Sequence, residues 1–193
     1  MADDPVVLRF SHIGFRVHDL DRMAGFYQGL LGFTETDRGR LPGADGETLD
    51  LVFLSRDPDE HHQIVLVSGR PSRLAFNPIN QISLHAGTLP SLLAFHRQVL
   101  AWGVDDLQPV THGNALSLYF RDPEGNRIEV YVDTPWYVSQ PARVPAPFDL
   151  PADALMRWAE AHARTLPGFR PRAEWRAEMA ERMAGRGGGQ APG

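Results

Sequence analysis

The chain contains no cysteine. That absence excludes a disulfide framework, a thiolate metal site and a cysteine nucleophile together. It also lacks any apolar run near the ~20 residues needed to cross a bilayer. The first residues, Met1-Ala2-Asp3-Asp4-Pro5, are acidic and lack the basic-then-apolar order of a signal peptide, so a cytoplasmic protein is expected. There is no basic excess: 19 Lys+Arg stand against 24 Asp+Glu, for a net charge of −5. A nucleic-acid surface needs a clustered basic field, so that partner is excluded, as is a membrane. What is present is ordinary for a globular protein. With 193 residues, 42% apolar and 22% charged, the chain can form one domain with a real core or two small fused modules.

Periodicity and punctuation give two copies of one unit. Residues 6–17 read as a strand. Residues 19–30 read as an amphipathic helix, capped by Asp19 and ended by Gly32, with Leu20, Met23, Phe26, Tyr27 and Leu30 at helical spacing. Short strands follow at about 33–37, 48–55 and 62–67, separated by Gly, Pro and Asp clusters. The order repeats with a strand at 81–86, a helix at 89–102 ended by Gly103, and strands at about 106–110, 115–121 and 127–133. Asp122-Pro123-Glu124-Gly125-Asn126 joins the last two as a hairpin turn. An offset of 69 lays His12 on Gln81, Leu20 on Leu89 and Phe26 on Phe95. Neither copy of a βαβββ unit can bury both faces of its sheet. Pairing them gives an α+β fold, a cup-shaped and incompletely closed barrel with helices outside. The paired modules, about 6–68 and 80–133, form one domain over 1–135. Residues 136–193 then add a Pro-rich connector, helices at about 152–165 and 172–184, and a Gly-rich end.

Without thiolates, any metal must be held by imidazole, carboxylate, amide or water. His12 lies in an otherwise apolar first strand. Alternation in Arg127-Ile128-Glu129-Val130-Tyr131-Val132 places Glu129 on the polar face with Arg127 and Tyr131. If that face lines a cup, the buried carboxylate needs a cation or a hydrogen-bond donor. Tyr119 and Glu129 stand ten residues apart around the 122–126 turn, so a hairpin folds them onto neighbouring strands with matching parity. His61-His62 enters the fourth strand, and His112 sits in the turn-like His112-Gly113-Asn114. His18, His96 and His162, on helices or their edges, read as solvated.

These stretches resemble the vicinal oxygen chelate superfamily, the glyoxalase/bleomycin resistance/dioxygenase fold, and within it the type I extradiol ring-cleavage dioxygenases. The carrying segments are Ser11-His12-Ile13-Gly14-Phe15-Arg16-Val17, His61-His62-Gln63-Ile64-Val65-Leu66, His112-Gly113-Asn114 and residues 118–131, so the resemblance covers roughly residues 6–135. It implies an Fe(II) site, with Mn(II) or another divalent metal as substitute, held by two imidazoles and one carboxylate with open positions for a catecholate and O₂. By position, His12 is the first ligand and Glu129 the third. His62 resembles the acid/base residue beside the metal. His112 and Tyr119 resemble residues that hydrogen-bond the catecholate and the ring-opening intermediate.

The second ligand departs from that pattern. The repeat puts Gln81 opposite His12, whereas His85 is the nearest histidine. The two share a face but span ~13 Å of strand, so one ion cannot easily take both. Gln81 is the expected ligand and His85 the fallback. A glyoxalase- or epimerase-type site would need a fourth ligand where the repeat places Val65, which cannot coordinate; Gln63 shares its face and is the substitute to examine. The resemblance therefore implies an extradiol-type dioxygenase acting on a small aromatic diol with O₂. The alternatives are a metal-dependent lyase, isomerase or epimerase working without O₂, and a metal-free small-molecule-binding protein of the resistance type. Exposed strand edges leave room for a homodimer.

Overall fold

The computed structural model describes residues 9–43 and 46–184. The expected Gly-rich end, 185–193, lies outside them. The elements in chain order are β1 (Ile13–Arg16), α1 (Leu20–Gly29), β2 (Thr34–Pro42), β3 (Thr48–Ser55), β4 (Ile64–Val67), β5 (Ile82–His85), α2 (Leu89–Trp102), β6 (Gln108–Thr111), β7 (Ala115–Arg121), β8 (Arg127–Asp133), β9 (Trp136–Tyr137), β10 (Val144–Pro145), α3 (Ala152–Ala163), β11 (Arg170–Pro171) and α4 (Arg172–Ala184). The fold is α+β, and its strands form separate sheets rather than one closed barrel. Among the described residues no helix is long and apolar enough to cross a membrane.

The chain divides into two compact units. The first comprises residues 1–78 and the turn 122–126; the second comprises 79–121 and 127–193. In the first unit the sheet order is β1-β4-β3-β2, with β1 parallel to β4 and the other pairs antiparallel. Asp19 caps α1 by accepting from the Arg22 N–H at 3.0 Å, as a short carboxylate at an N-cap does. The helix buries Met23, Phe26 and Tyr27 against the sheet, whose Val52, Leu54, Ile64 and Leu66 complete that core. Each such side chain contributes on the order of 1.5–3 kcal/mol by leaving water.

The turn 122–126 is more than a hairpin connector. Asp122 accepts from the N–H groups of Glu124 and Asn126, which closes the turn. Glu124 Oε1 accepts from the N–H groups of His18 and Asp19 at 2.7 and 2.8 Å, a carboxylate set at the α1 N-terminus, where the helix dipole favours negative charge. Arg70 donates to Asn126 Oδ1 and to the Glu124 carbonyl.

In the second unit the order is β10-β6-β7-β8-β5, with β5 parallel to β8. Thr88 caps α2 through the Ser91 N–H, and Gly103 ends it at φ +75°, a left-handed position that glycine takes without penalty. One sheet face carries Leu116, Leu118, Phe120, Ile128, Val130 and Val132, all buried, and α2 packs against β8. The connector after β8 is not merely extended. It adds β10 to the free edge of β6, pairs β9 with β11, and lets α3 bury Leu155, Ala159 and Ala163.

The internal repeat keeps one offset through its first strand and helix. Ile13 and Ile82 begin β1 and β5, Leu20 and Leu89 begin α1 and α2, and Asp19 and Thr88 cap them, all at the offset of 69. Gly14 pairs with Val65 as Ser83 pairs with Glu129. One expectation is corrected. His12 is not inside the first strand but just before it, and exposed, because ladder pairing with β4 starts at Ile13.

Candidate functional site

Glu129 lies at the centre of the polar face of the second unit's sheet. Its register fixes its neighbours: Tyr119 is directly opposite on β7 and Ser83 directly opposite on β5. The carboxylate is 7% exposed, yet every hydrogen-bond donor reaching it is neutral. Tyr119 donates its hydroxyl to Oε1 at 2.7 Å. Oε2 accepts from the Ser83 hydroxyl at 2.6 Å and from the Gln81 amide at 2.7 Å. The Gln81 amide also donates to Ser83 Oγ at 2.7 Å, so the three side chains close a triangle. Among the described residues no arginine lies within ion-pair distance of Glu129, and the nearest ionisable nitrogen is His112 Nε2 at 3.9 Å. A buried carboxylate held only by neutral donors keeps an uncompensated charge.

His112 extends this network. Its Nδ1 is 2.7 Å from the Ala142 carbonyl, which can only accept, so Nδ1 carries a proton. Its Nε2 faces the Tyr119 oxygen at 3.0 Å. The hydroxyl has one proton to give, and a neutral His112 competes with Glu129 for it. Burial raises the Tyr119 phenol well above its ordinary pKa, and the hydrogen bond to Glu129 raises it further. Tyr119 therefore keeps its proton. The His112 turn is fastened from the C-terminal segment: Gln140 donates to the His112 carbonyl at 2.8 Å and the Trp136 indole to the Gly113 carbonyl at 2.5 Å.

The histidines of the first unit form their own group. The His12 ring meets the His62 ring edge-on at 4.4 Å between centroids, and Phe53 packs on His62 at 5.3 Å. His61 Nδ1 is 2.9 Å from His62 Nδ1. Burial lowers the His62 pKa, and the neighbouring His12 and His61 lower it further, which favours the neutral base. Both His61 and His62 precede β4 rather than lying within it.

The expected site residues thus fall into two groups, one within each unit: His12 with His62, and Gln81 with Glu129, Tyr119 and His112. His85 joins neither. Its Nδ1 accepts from the Gly87 N–H, its Nε2 lies 3.5 Å from Asp133, and its ring meets Tyr131. Gln63 is engaged as well, its side-chain carbonyl accepting from the Arg56 N–H. His96, expected to be solvated, is half-buried against Phe148. Among the described residues no cluster of three or more His, Cys, Asp or Glu is placed to hold a metal. An imidazole, an amide oxygen and a carboxylate together suit a borderline-to-hard divalent ion, and Glu129 supplies the charge such an ion needs. Sequence reasoning missed Ser83. Its parity with Gln81 and the parallel pairing of β5 with β8 were the available signals.

Comparison with known proteins bears on the family and the fold. The model of the Glyoxalase/Bleomycin resistance protein/Dioxygenase superfamily matches residues 9–130. Biphenyl-2,3-diol 1,2-dioxygenase 3 of Rhodococcus globerulus is 29% identical over 133 residues, covering 66% of this chain and 65% of the relative. The chain therefore spans just under two thirds of that relative's length. A glyoxylase/bleomycin resistance protein/dioxygenase domain from Frankia sp. EAN1pec superposes with a TM-score of 0.56 at 21% identity, over 67% of this chain and 100% of that domain. A mutant of the fosfomycin resistance protein FosX from Listeria monocytogenes, solved with Mn(II) and 1S,2S-dihydroxypropylphosphonic acid, gives 0.50 at 19% identity, over 67% and 95%. Both structural likenesses speak to the fold.

Proposed function

This chain belongs to the Glyoxalase/Bleomycin resistance protein/Dioxygenase superfamily, and we propose that within it the protein is a metal-dependent extradiol-type dioxygenase that opens a catecholic ring with O₂. The observation that carries the proposal is Glu129: a buried carboxylate surrounded by a phenol, a hydroxyl and an amide, with no fixed cation to neutralise it. A divalent ion resolves that imbalance. His12, Gln81 and Glu129 are the proposed ligands, with Gln81 turning its amide oxygen to the metal in place of the usual second imidazole. Bound there, Fe(II), or Mn(II) in its place, supplies Lewis-acid and one-electron chemistry toward a vicinal diol and dioxygen.

The protein's own residues handle position and protons. The His62 imidazole accepts a proton from a substrate hydroxyl. The Tyr119 hydroxyl and His112 Nε2, 3.0 Å apart, orient the diol oxygens and return a proton to the product. In the overall change one C–C bond beside a hydroxyl breaks and both atoms of O₂ enter the product. The biphenyl-2,3-diol 1,2-dioxygenase relative supports this chemistry, and the FosX structure with Mn(II) supports a metal on this fold. The test is air-free loading with Fe(II), then a panel of catechols with O₂ uptake and visible absorbance followed together. The expected result is one O₂ consumed per diol with a yellow ring-opened product. Conversion of substrate without O₂ uptake would transfer the assignment to a lyase or isomerase.

A further inference from the structure

The C-terminal segment beyond residue 130, outside the family match, builds a wall of a second feature. A cavity of about 370 Å³ lies within the second unit, lined by Gln108, Pro109, Val110, Arg143, Val144 and Pro145. Four of these six are apolar, and the strand pairing of β10 with β6 sets Pro145 opposite Val110. The cavity adjoins the Glu129 network. Gln108 is the cross-strand partner of Tyr119, and the Arg143 guanidinium lies 5.2 Å from the Tyr119 ring centroid. A second guanidinium, Arg127, stands 5.9 Å from the same centroid. Two cations therefore flank one phenol in a chain whose net charge is −5.

Arg143 has hydrogen-bonding capacity left over. Its hydrogen bond is to Gln108 Oε1 at 2.5 Å, one neutral acceptor for a fork of five N–H donors. Among the described residues neither Arg143 nor Arg127 makes an ion pair with a carboxylate. Arg143 is exposed, and a purely hydrocarbon ligand would strip water from its guanidinium without replacing those hydrogen bonds. An aryl group bearing a carboxylate uses the proline and valine walls for its ring and the planar fork for its charge.

We propose that this cavity is a specificity pocket in which Arg143 binds the carboxylate of an anionic aromatic substrate. The proposal rests on the aromatic-diol reading above for the rest of the molecule, and it narrows the substrate class from neutral catechols to carboxylated ones. A cavity of this volume accommodates a single substituted ring.

The test uses metal-free full-length protein, so it does not depend on oxygen chemistry. Binding of 3,4-dihydroxybenzoate and of its neutral isostere 3,4-dihydroxybenzamide is measured by calorimetry for wild type, Arg143→Gln and Arg143→Lys, with thermal melts confirming that each is folded. The wild type should prefer the acid by about tenfold, the scale of one charge-assisted contact. Arg143→Gln should bind acid and amide alike, with its affinity for the amide within about twofold of wild type. Arg143→Lys should keep a reduced preference, having the charge without the fork. Equal binding of the two ligands by wild type, a preference that survives in Arg143→Gln, or no measurable binding of the acid overturns the proposal. Oxygen uptake with neutral catechols and no acid preference removes this inference alone. An acid preference in iron-loaded protein that consumes no O₂ removes the dioxygenase reading alone.

Discussion

The Tyr119 hydroxyl donates to Glu129 Oε1 at 2.7 Å between residues directly paired across the β7–β8 hairpin. That one contact makes the phenol both a clamp on a proposed metal ligand and a proton carrier toward His112. Tyr119→Phe removes the hydroxyl and keeps the ring between its flanking guanidinium groups. In iron-loaded protein it should lower kcat for catechol cleavage by about 10²-fold, the usual scale for a positioned acid or base. Metal content should stay at one per chain. An unchanged kcat would leave Tyr119 with a packing role only.

Gln81 and His85 give opposite expectations. Gln81 donates to Glu129, whereas His85 is occupied by the Gly87 N–H and sits beside Asp133. Gln81→Ala should weaken Fe(II) binding tenfold or more, and Gln81→His should strengthen it, because imidazole is the better donor for that ion. His85→Ala should leave metal affinity unchanged. Competitive chelator titrations read all three. Weakened binding in His85→Ala with none in Gln81→Ala would move the middle ligand to His85.

Asp122 offers a pH test remote from the metal. Burial raises its carboxyl above the ordinary range, against the hydrogen bonds from Asn126 and Glu124 that pull it down. A raised folded pKa means that its contribution is full below the unfolded value of about 3.9 and is lost as pH rises through the folded value. Asp122→Asn should destabilise the protein by about 1–3 kcal/mol, since Asp122 accepts from Glu124, Asn126 and Tyr27. The gap between wild type and variant, read from denaturant midpoints, should narrow as pH rises from about 4. A gap that widens would contradict the burial argument.

Gly113 tests the fastening of the His112 turn. It sits at φ +78°, and a Cβ there would stand 2.5 Å from Val138 Cγ2 and 2.8 Å from Leu166 Cδ1. Gly113→Ala combines a left-handed backbone with overpacking and should cost about 2–4 kcal/mol. Thermal unfolding measures it. A shift within error would mean that the C-terminal segment yields freely at this point.

Much of this architecture was legible in the residues themselves. The bounds of α2, β3, β7, β8 and α4 follow from caps, Gly stops and alternation, which are local signals. The offset of 69 laid Gln81 on His12, and the pairing of Gly14 with Val65 and of Ser83 with Glu129 makes Val65 the counterpart of Glu129. Three things were not legible. The first strand begins its pairing only at Ile13, and its partner β4 decides that. Glu124 reads locally as a turn residue, yet it serves the α1 N-terminus 105 residues earlier in the chain. The Pro-rich connector hides β10 because Pro141, Pro145 and Pro147 mask an edge strand whose pairing is set wholly by β6. Ser83 and Arg143 escaped notice for the same reason: each acquires meaning only from residues distant in the chain, Glu129 for Ser83 and Gln108 with Tyr119 for Arg143.

The most direct test of the metal reading is a stoichiometric one. Mn(II) titration followed by electron paramagnetic resonance, on wild type, His12→Ala and Glu129→Ala, reports occupancy without reference to substrate. One tight site per chain in wild type, lost or weakened at least about a hundredfold in both variants, is the predicted result. Tight binding that persists in Glu129→Ala, or no site in the wild type, would contradict it.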